Sequence, residues 1–128
     1  AFDVEVARTE GEIAQGLMYR RSLPDGHGMV FRMPEDRDWA FYMRNTHVRL
    51  DMVFIDADWT VVGVVANVPP LTEDTRSVGA PSRFVLELPA HTAERASLRA
   101  GTRLAFEPLP DAPDPEATTG RGPAGSAP

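Results

Sequence analysis

The chain has 128 residues, contains no cysteine, and carries a formal net charge of −6 at pH 7. The lack of cysteine excludes disulfides, thiolate metal sites and thiol nucleophiles. The acidic balance argues against nucleic acid as a partner, because such binding depends on Lys and Arg neutralising phosphates. No apolar run reaches the roughly 18 residues that a membrane-spanning helix needs, so the sequence predicts no transmembrane segment.

The first half of the chain predicts short strands around one helix. Residues 3–8 alternate between apolar and polar side chains, which is typical of a strand. Thr9 and Glu12 have the spacing of a capping box and predict a helix over 10–19. Two further strands are predicted, over 29–32 and 39–43.

The second half predicts more strands and one further helix. The strands are predicted over segments of alternating or continuous apolar character: 48–55, 60–66, 83–88 and 102–107. A long loop over 69–82 separates two of them and is typical of a lid or a binding loop. A short helix is predicted within 89–98, with Thr92 as its N-cap.

About seven short strands and two short helices indicate one α+β, mainly β domain over residues 1–107. Many short strands joined by Gly- and Pro-containing turns favour a compact single-domain barrel or sandwich. Six of the twelve prolines follow Glu107, together with Gly, Ala, Ser and Thr. Residues 108–128 are therefore predicted to be a disordered Pro/Gly/Ala-rich tail.

Five short motifs follow one another in the middle of the chain. They are Gly16-Leu17-Met18-x-Arg20, Gly28-Met29-x-Phe31, Phe41-x-Met43-x-Asn45-Thr46, Leu50-Asp51-x-x-Phe54-Ile55-Asp56 and Val85-Leu86-Glu87-Leu88, with Leu23 between the first two. Together they resemble the bacterial and archaeal family called domain of unknown function 192, over residues 4–106. The resemblance implies a compact β-rich domain that is often exported, and it supplies no activity.

Three positions depart from the pattern of that family. Tyr42 stands where the family usually has Trp, Arg49 where it usually has Pro, and His91 where it usually has Gly. The first change keeps an aromatic ring. The other two alter charge and backbone freedom beside the motifs.

Two carboxylates lie inside apolar predicted strands, Asp51 and Glu87. A buried carboxylate needs partners, because burying it alone costs several kcal/mol. The nearest candidates by motif are Arg20, Arg44, Asn45 and Thr46. These six residues form the candidate polar site, either as a binding site or as a structural network in which arginines pair with the carboxylates and Asp51 accepts backbone N–H groups.

Methionine and histidine suggest a second site. All five methionines lie between Met18 and Met52, and His27 and His47 lie in the same window. Thioether and imidazole together suit Cu(I), with Met29, Met43, His27 and His47 as the ligands of such a site. The alternative is that the methionines fill the core, as the aromatic side chains of 39–42 also could.

These observations leave three hypotheses open. The first is a non-enzymatic binding or accessory domain without a cofactor, which holds a small molecule or a protein through 44–46, Asp51 and Glu87 or through the 69–82 loop. The second is a hydrolase-like enzyme in which Asp51 and Glu87 act as paired acid and base. The third is a copper carrier. The small residue at position 1 is compatible with signal cleavage, so a periplasmic or secreted location is expected, with the cytoplasm left open.

Overall fold

The computed structural model describes residues 1–107, which form one mainly β domain. Its elements in chain order are β1 (Asp3–Ala7), α1 (Glu10–Gln15), β2 (His27–Arg37), β3 (Leu50–Ile55), β4 (Val61–Val68), β5 (Ser82–Pro89) and α2 (Thr92–Arg95). In this part of the chain, neither helix is long and apolar enough to cross a membrane. The predicted tail, 108–128, lies outside the described residues.

The strands of the described chain form one mixed sheet in the order β1-β2-β5-β3-β4. Strand β1 runs parallel to β2, and the other pairs are antiparallel. A parallel pair needs a crossover connection, and α1 with the following loop supplies it. The predicted mainly β α+β class is confirmed, but the sheet is open and does not close into a barrel.

Each face of the sheet carries its own hydrophobic cluster. The cluster on the α1 side, called here the cleft-face cluster, comprises Ala7, Leu17, Met29, Phe31, Met33, Met43, Leu50, Met52, Phe54, Val68 and Val85. The cluster on the α2 side, called here the α2-face cluster, comprises Val6, Val30, Val53, Ile55, Val61, Leu86, Leu88 and Ala93. Because both faces are covered, every residue of β3 is buried.

One row of cross-strand neighbours on the cleft face contains the candidate residue Glu87. Glu5 pairs in register with Met29, Met29 with Glu87, Glu87 with Met52, and Met52 with Val65. Neighbouring strands lie about 4.8 Å apart, so the row places Glu87 near the middle of the sheet. A carboxyl in that position is surrounded by apolar side chains.

Helix α1 begins as its sequence predicts and ends earlier. The Thr9 side chain accepts a hydrogen bond from the Glu12 N–H, and the Glu12 carboxylate accepts one from the Thr9 N–H, which completes the capping box. Gly16 ends the helix at φ 49° and ψ −129°, a backbone conformation that only glycine adopts easily. The predicted helix over 10–19 is therefore shorter by one turn.

Two predicted strands are reduced to single bridges. In segment 39–43 the ladder contact is that of Phe41 with Arg76, and in segment 102–107 it is that of Arg103 with Thr60. Each segment packs over a face of the sheet and does not join it as a strand. The apolar side chains that predicted the two strands are therefore explained by packing against the sheet, not by strand pairing. This accounts for five strands where the sequence predicts about seven.

Helix α2 is also displaced by one residue from its prediction. Its N-cap is His91, and Thr92 is the first helical residue. His91 has φ 74°, in the left-handed region that favours glycine, and its side chain makes no capping hydrogen bond.

Candidate ligand-binding cleft

A cleft of about 290 Å³ opens on the cleft face, between the end of α1 and segment 39–46. Its volume is close to the lower end of the range for small-molecule sites. The lining residues come from three places in the chain: Ile13, Ala14, Gln15, Gly16, Leu17 and Met18; Phe31 and Met33; and Trp39, Ala40, Phe41, Tyr42, Thr46 and Glu87.

Gly16 allows the first wall to approach the sheet closely. A Cβ atom built on Gly16 would lie 3.0 Å from Cζ of Phe31. The main chain thus passes directly over the Phe31 ring, and the lack of a side chain preserves both the turn and the contact.

The second wall is supported from behind by the predicted long loop. Phe41 and Arg76 exchange backbone hydrogen bonds of 2.9 and 2.8 Å. The Met43 N–H donates to the Thr72 carbonyl at 2.9 Å, and the Leu71 N–H donates to the Thr46 carbonyl at 2.9 Å. None of the cleft-lining residues belongs to the loop, so its role is to hold segment 41–46 in place.

A direct link joins the two walls. The Tyr19 N–H donates to the Asn45 carbonyl at 2.8 Å, and the Asn45 side-chain amide donates to the Tyr19 hydroxyl at 3.1 Å. Both residues have positive φ, 68° and 54°. Asn45, predicted as a site residue, therefore positions the walls and is not itself a lining residue.

Aromatic rings form much of the lining. Phe41 packs edge-on against Phe31, with ring centroids 5.0 Å apart, and against Phe54 at 6.1 Å. Trp39 donates its indole N–H to the Glu35 carbonyl at 3.0 Å. Trp59 belongs to the other face, where it stacks on Phe84 at 4.0 Å. Segment 39–42 thus contributes to the core and to the cleft at once.

Glu87 is the most unusual polar group of the cleft. Its residue is 4% exposed, and its side chain makes no hydrogen bond or ion pair with any residue between 1 and 107. Burial raises the pKa of this carboxyl to about 8. Near neutral pH Glu87 is therefore mainly a protonated carboxyl that faces a cleft.

Glu12 provides a contrast, since it is a second buried glutamate with the opposite pKa shift. Burial alone would raise the pKa of Glu12, but backbone N–H groups of Thr9 and Arg8 donate to its carboxylate, and the net effect lowers that pKa. Glu87 has no such donors, so the burial effect on its pKa is not offset.

Asp51 lies on the other face of the sheet. It is fully buried, and it accepts hydrogen bonds from the N–H of Asn67 at 2.8 Å and of Ala93 at 2.9 Å. Ala93 belongs to α2, so this carboxylate fastens the second helix to the sheet. Strand alternation places Asp51 beside Val53 on the α2 face, whereas Glu87 lies with Val85 on the cleft face. The two carboxylates therefore do not form a catalytic pair.

The predicted arginine partners are engaged elsewhere or exposed. Arg20 forms a bidentate ion pair with Glu5, at 2.5 and 2.7 Å. Arg44 is exposed, and its carbonyl accepts a hydrogen bond from the Thr46 hydroxyl at 3.1 Å. The interpretation in which arginines neutralise Asp51 and Glu87 is therefore wrong. Of the six predicted residues, the cleft brings together Thr46 and Glu87.

The methionines belong mainly to the core. Met29, Met33, Met43 and Met52 are buried in the cleft-face cluster, and Met18 lines the cleft. His27 is exposed at the start of β2, and His47 is half-buried. Within residues 1–107, no group of three or more His, Cys, Asp or Glu side chains could hold a metal ion.

The sequence interpretation missed the first wall of the cleft. Gly16 lies within the predicted helix, and the structure shows that the backbone passes close to the Phe31 ring at this residue. No sequence pattern indicated which segment would approach it, because segment 39–46 is brought there by contacts with a loop about 30 residues further along the chain.

Comparisons with known proteins agree with the fold. The family model of domain of unknown function 192, described as "Uncharacterized ACR", matches residues 1–106. A crystal structure from Sinorhizobium meliloti 1021, described as a "putative transcription regulator", is 39% identical, with a TM-score of 0.76, over 78% of this chain and 78% of that chain. A protein of unknown function from Novosphingobium aromaticivorans DSM 12444 is 35% identical, with a TM-score of 0.79, over 82% of this chain and 75% of that chain. No curated protein matched the chain.

Proposed function

The chain belongs to the domain of unknown function 192 family, and we propose that its domain is a binding module that holds a small organic molecule in the cleft above Glu87. The observation that carries this proposal is the Glu87 carboxyl, which is 4% exposed, faces the cleft and has no partner within residues 1–107. Buried polar groups are normally hydrogen-bonded, so an unpartnered one beside a cleft is typical of a site that a ligand completes.

The walls support the same proposal. Both are fixed by main-chain hydrogen bonds, at Asn45–Tyr19 and at Phe41–Arg76. A cleft with fixed walls loses little conformational entropy when it is filled, which favours binding.

The hydrolase hypothesis has less support. Asp51 is on the opposite face and its two oxygens accept backbone N–H groups, which leaves Glu87 without a second carboxylate. The Sinorhizobium meliloti relative is described as a "putative transcription regulator". For this chain, nucleic-acid binding is disfavoured by the net charge of −6. Export from the cytoplasm stays a prediction.

A thermal-shift screen of the full chain tests the proposal. The panel contains amines, neutral alcohols and amides, sugars, nucleosides and organic acids. A ligand present at about 100 times its dissociation constant stabilises the native state by about 2.7 kcal/mol, which raises the melting temperature by about 10 °C.

Two tryptophan variants locate the binding site. Ala14→Trp places a large side chain in the cleft wall, and Ala57→Trp makes the same change in the exposed β3–β4 turn. Binding that Ala14→Trp abolishes and Ala57→Trp preserves supports the cleft. Hits that survive Ala14→Trp would contradict the proposal, because their site would lie outside the cleft. A panel without hits would also contradict it and would favour a protein partner.

A further inference from the structure

We infer that the ligand of this cleft is a primary ammonium compound with an apolar, preferably aromatic, body, and that its ammonium group pairs with Glu87. The inference rests on the proposed function and adds the chemical class of the ligand. It depends on the charge, the hydrogen-bonding capacity and the rings of the cleft.

The charge of the cleft disfavours an anionic ligand. Among the lining residues between 1 and 107 there is no Lys, Arg or His, and Glu87 is the one carboxyl. Arg20, the predicted anion binder, is held by Glu5, two strands away from Glu87 along the cross-strand row. An anionic group in this cleft would meet a carboxyl without a neighbouring cation.

When Glu87 is ionised, the inner polar groups of the cleft accept hydrogen bonds and offer no donor. The Thr46 residue is 5% exposed, and its hydroxyl uses its single hydrogen on the Arg44 carbonyl at 3.1 Å. It therefore offers acceptor lone pairs to the cleft, as an ionised Glu87 does. An ammonium group has three N–H donors and no acceptor, so its hydrogen-bonding capacity complements that of each of these groups.

The rings of the cleft suit the body of such a ligand. Phe31, Trp39, Phe41 and Tyr42 all line it. Aromatic faces attract a cation electrostatically and also pack well against another ring. The polar groups of the outer lining, Gln15 and the 41% exposed Tyr42, lie where the ligand would meet water.

Binding of an ammonium group must be coupled to a proton. The elements packed around Glu87 place Met29 and Met52 beside it in register, and the other titratable lining group is the phenol of Tyr42. Because burial raises the pKa of Glu87 to about 8, the carboxyl is mainly protonated below that pH and must lose its proton to pair with the ligand. A cation in the cleft would favour the ionised form.

The experiment compares three probes of similar shape and different charge: 2-phenylethylamine, 2-phenylethanol and 3-phenylpropionate. Titration calorimetry on the full chain is expected to show the amine as the tightest of the three. Its affinity should rise up to about tenfold per pH unit between about pH 6 and pH 8, with release of about one proton. The affinity of the alcohol should not change with pH.

Matched variants assign the effect to Glu87. Glu87→Gln should lower the affinity for the amine at least about tenfold at pH 8, remove its pH dependence and leave the binding of the alcohol unchanged. Glu94→Gln, which makes the same change at an exposed position of α2, should behave as the parent. Circular dichroism and a melting curve establish that each variant is folded.

The possible results separate this inference from the proposed function. If the alcohol or the propionate binds and the amine does not, the ligand class is wrong although the cleft remains a binding site. Amine binding that Glu87→Gln leaves unchanged also overturns the inference. If none of the three probes binds, the inference fails, whereas the proposed function is decided by its own panel and the Ala14→Trp variant.

Discussion

At the scale of single residues, two of the buried carboxyl groups, Asp51 and Glu87, have opposite character. Asp51 is held by two backbone N–H groups, whereas Glu87 meets apolar side chains and a cleft. The strand pattern around both residues is similar, and the difference arises from which elements cover each face of the sheet. Their removal should therefore have different consequences.

Glu87 should make the stability of the fold depend on pH. An unfolded chain releases this proton near pH 4.5, whereas the native state holds it to about pH 8. Between those values the native state binds more protons, so the free energy of unfolding falls as pH rises, by up to about 1.4 kcal/mol per pH unit from this group. Glu87→Gln should have a flatter profile across this window in urea unfolding experiments.

The Glu94→Gln variant is the control for this profile, because it removes an exposed carboxyl. Its unfolding free energy should follow that of the parent at every pH. Parallel profiles of the parent and Glu87→Gln would show that the Glu87 carboxyl is not held protonated in the native state.

Asp51→Ala should destabilise the fold by about 2–4 kcal/mol, because it leaves two buried N–H groups without an acceptor. Asp51→Asn keeps one acceptor oxygen and should cost less. Asp58→Ala, in the exposed β3–β4 turn, is the control. Equal stability of Asp51→Ala and Asp58→Ala in urea unfolding would refute this structural role.

At the scale of elements, the ends of the helices determine how the chain enters and leaves the sheet. Helix α1 ends at Gly16, whose φ of 49° lets the chain turn down onto Phe31. Helix α2 is preceded by its N-cap His91, which adopts φ 74° without the freedom of glycine. Glycine suits the positive φ at the end of α1, whereas histidine does not suit the positive φ that precedes α2.

His91→Gly should therefore stabilise the protein by about 0.5–1 kcal/mol, because the left-handed conformation costs a residue with a Cβ about 1 kcal/mol or more, partly offset by the entropy of unfolded glycine. His91→Ala retains the Cβ and should give no such gain. Chemical denaturation of both variants checks this, and an equal gain for alanine would attribute the effect to the imidazole instead of the backbone.

At the scale of the whole molecule, two hydrophobic clusters enclose one sheet, and both consist of residues within the first 106 positions. Segment 102–107 takes part in this packing. Leu104 and Phe106 pack against the α2-face cluster, and the Phe106 ring stacks on the Trp59 ring with centroids 5.5 Å apart. The contacts of the folded domain therefore extend along nearly the whole of residues 1–107.

Removal of residues 108–128 should leave the melting temperature within about 2 °C of the full chain, because every cluster member described within residues 1–107 is kept. Truncation after Arg103, which also removes Leu104 and Phe106, should lower the melting temperature by several degrees. A large decrease for the first truncation would show that the last 21 residues contribute to the fold.

The sequence by itself determined the mainly β class, the capping box, the family and most of the strands, because these depend on alternation, local hydrogen bonding and short motifs. It also identified Glu87 and Thr46 as residues worth attention. Local patterns report which side chains alternate, however, and not what covers each face.

Only the tertiary structure decided the partners of those residues. Asp51 and Glu87 lie on opposite faces of the sheet, and Arg20 forms an ion pair with Glu5. The cleft lies between α1 and segment 39–46. Each of these outcomes depends on long-range packing across strand order β1-β2-β5-β3-β4, which inserts β5 between β2 and β3. That insertion brings Glu87 to the middle of the sheet, beneath a cleft whose walls come from residues far away in the chain.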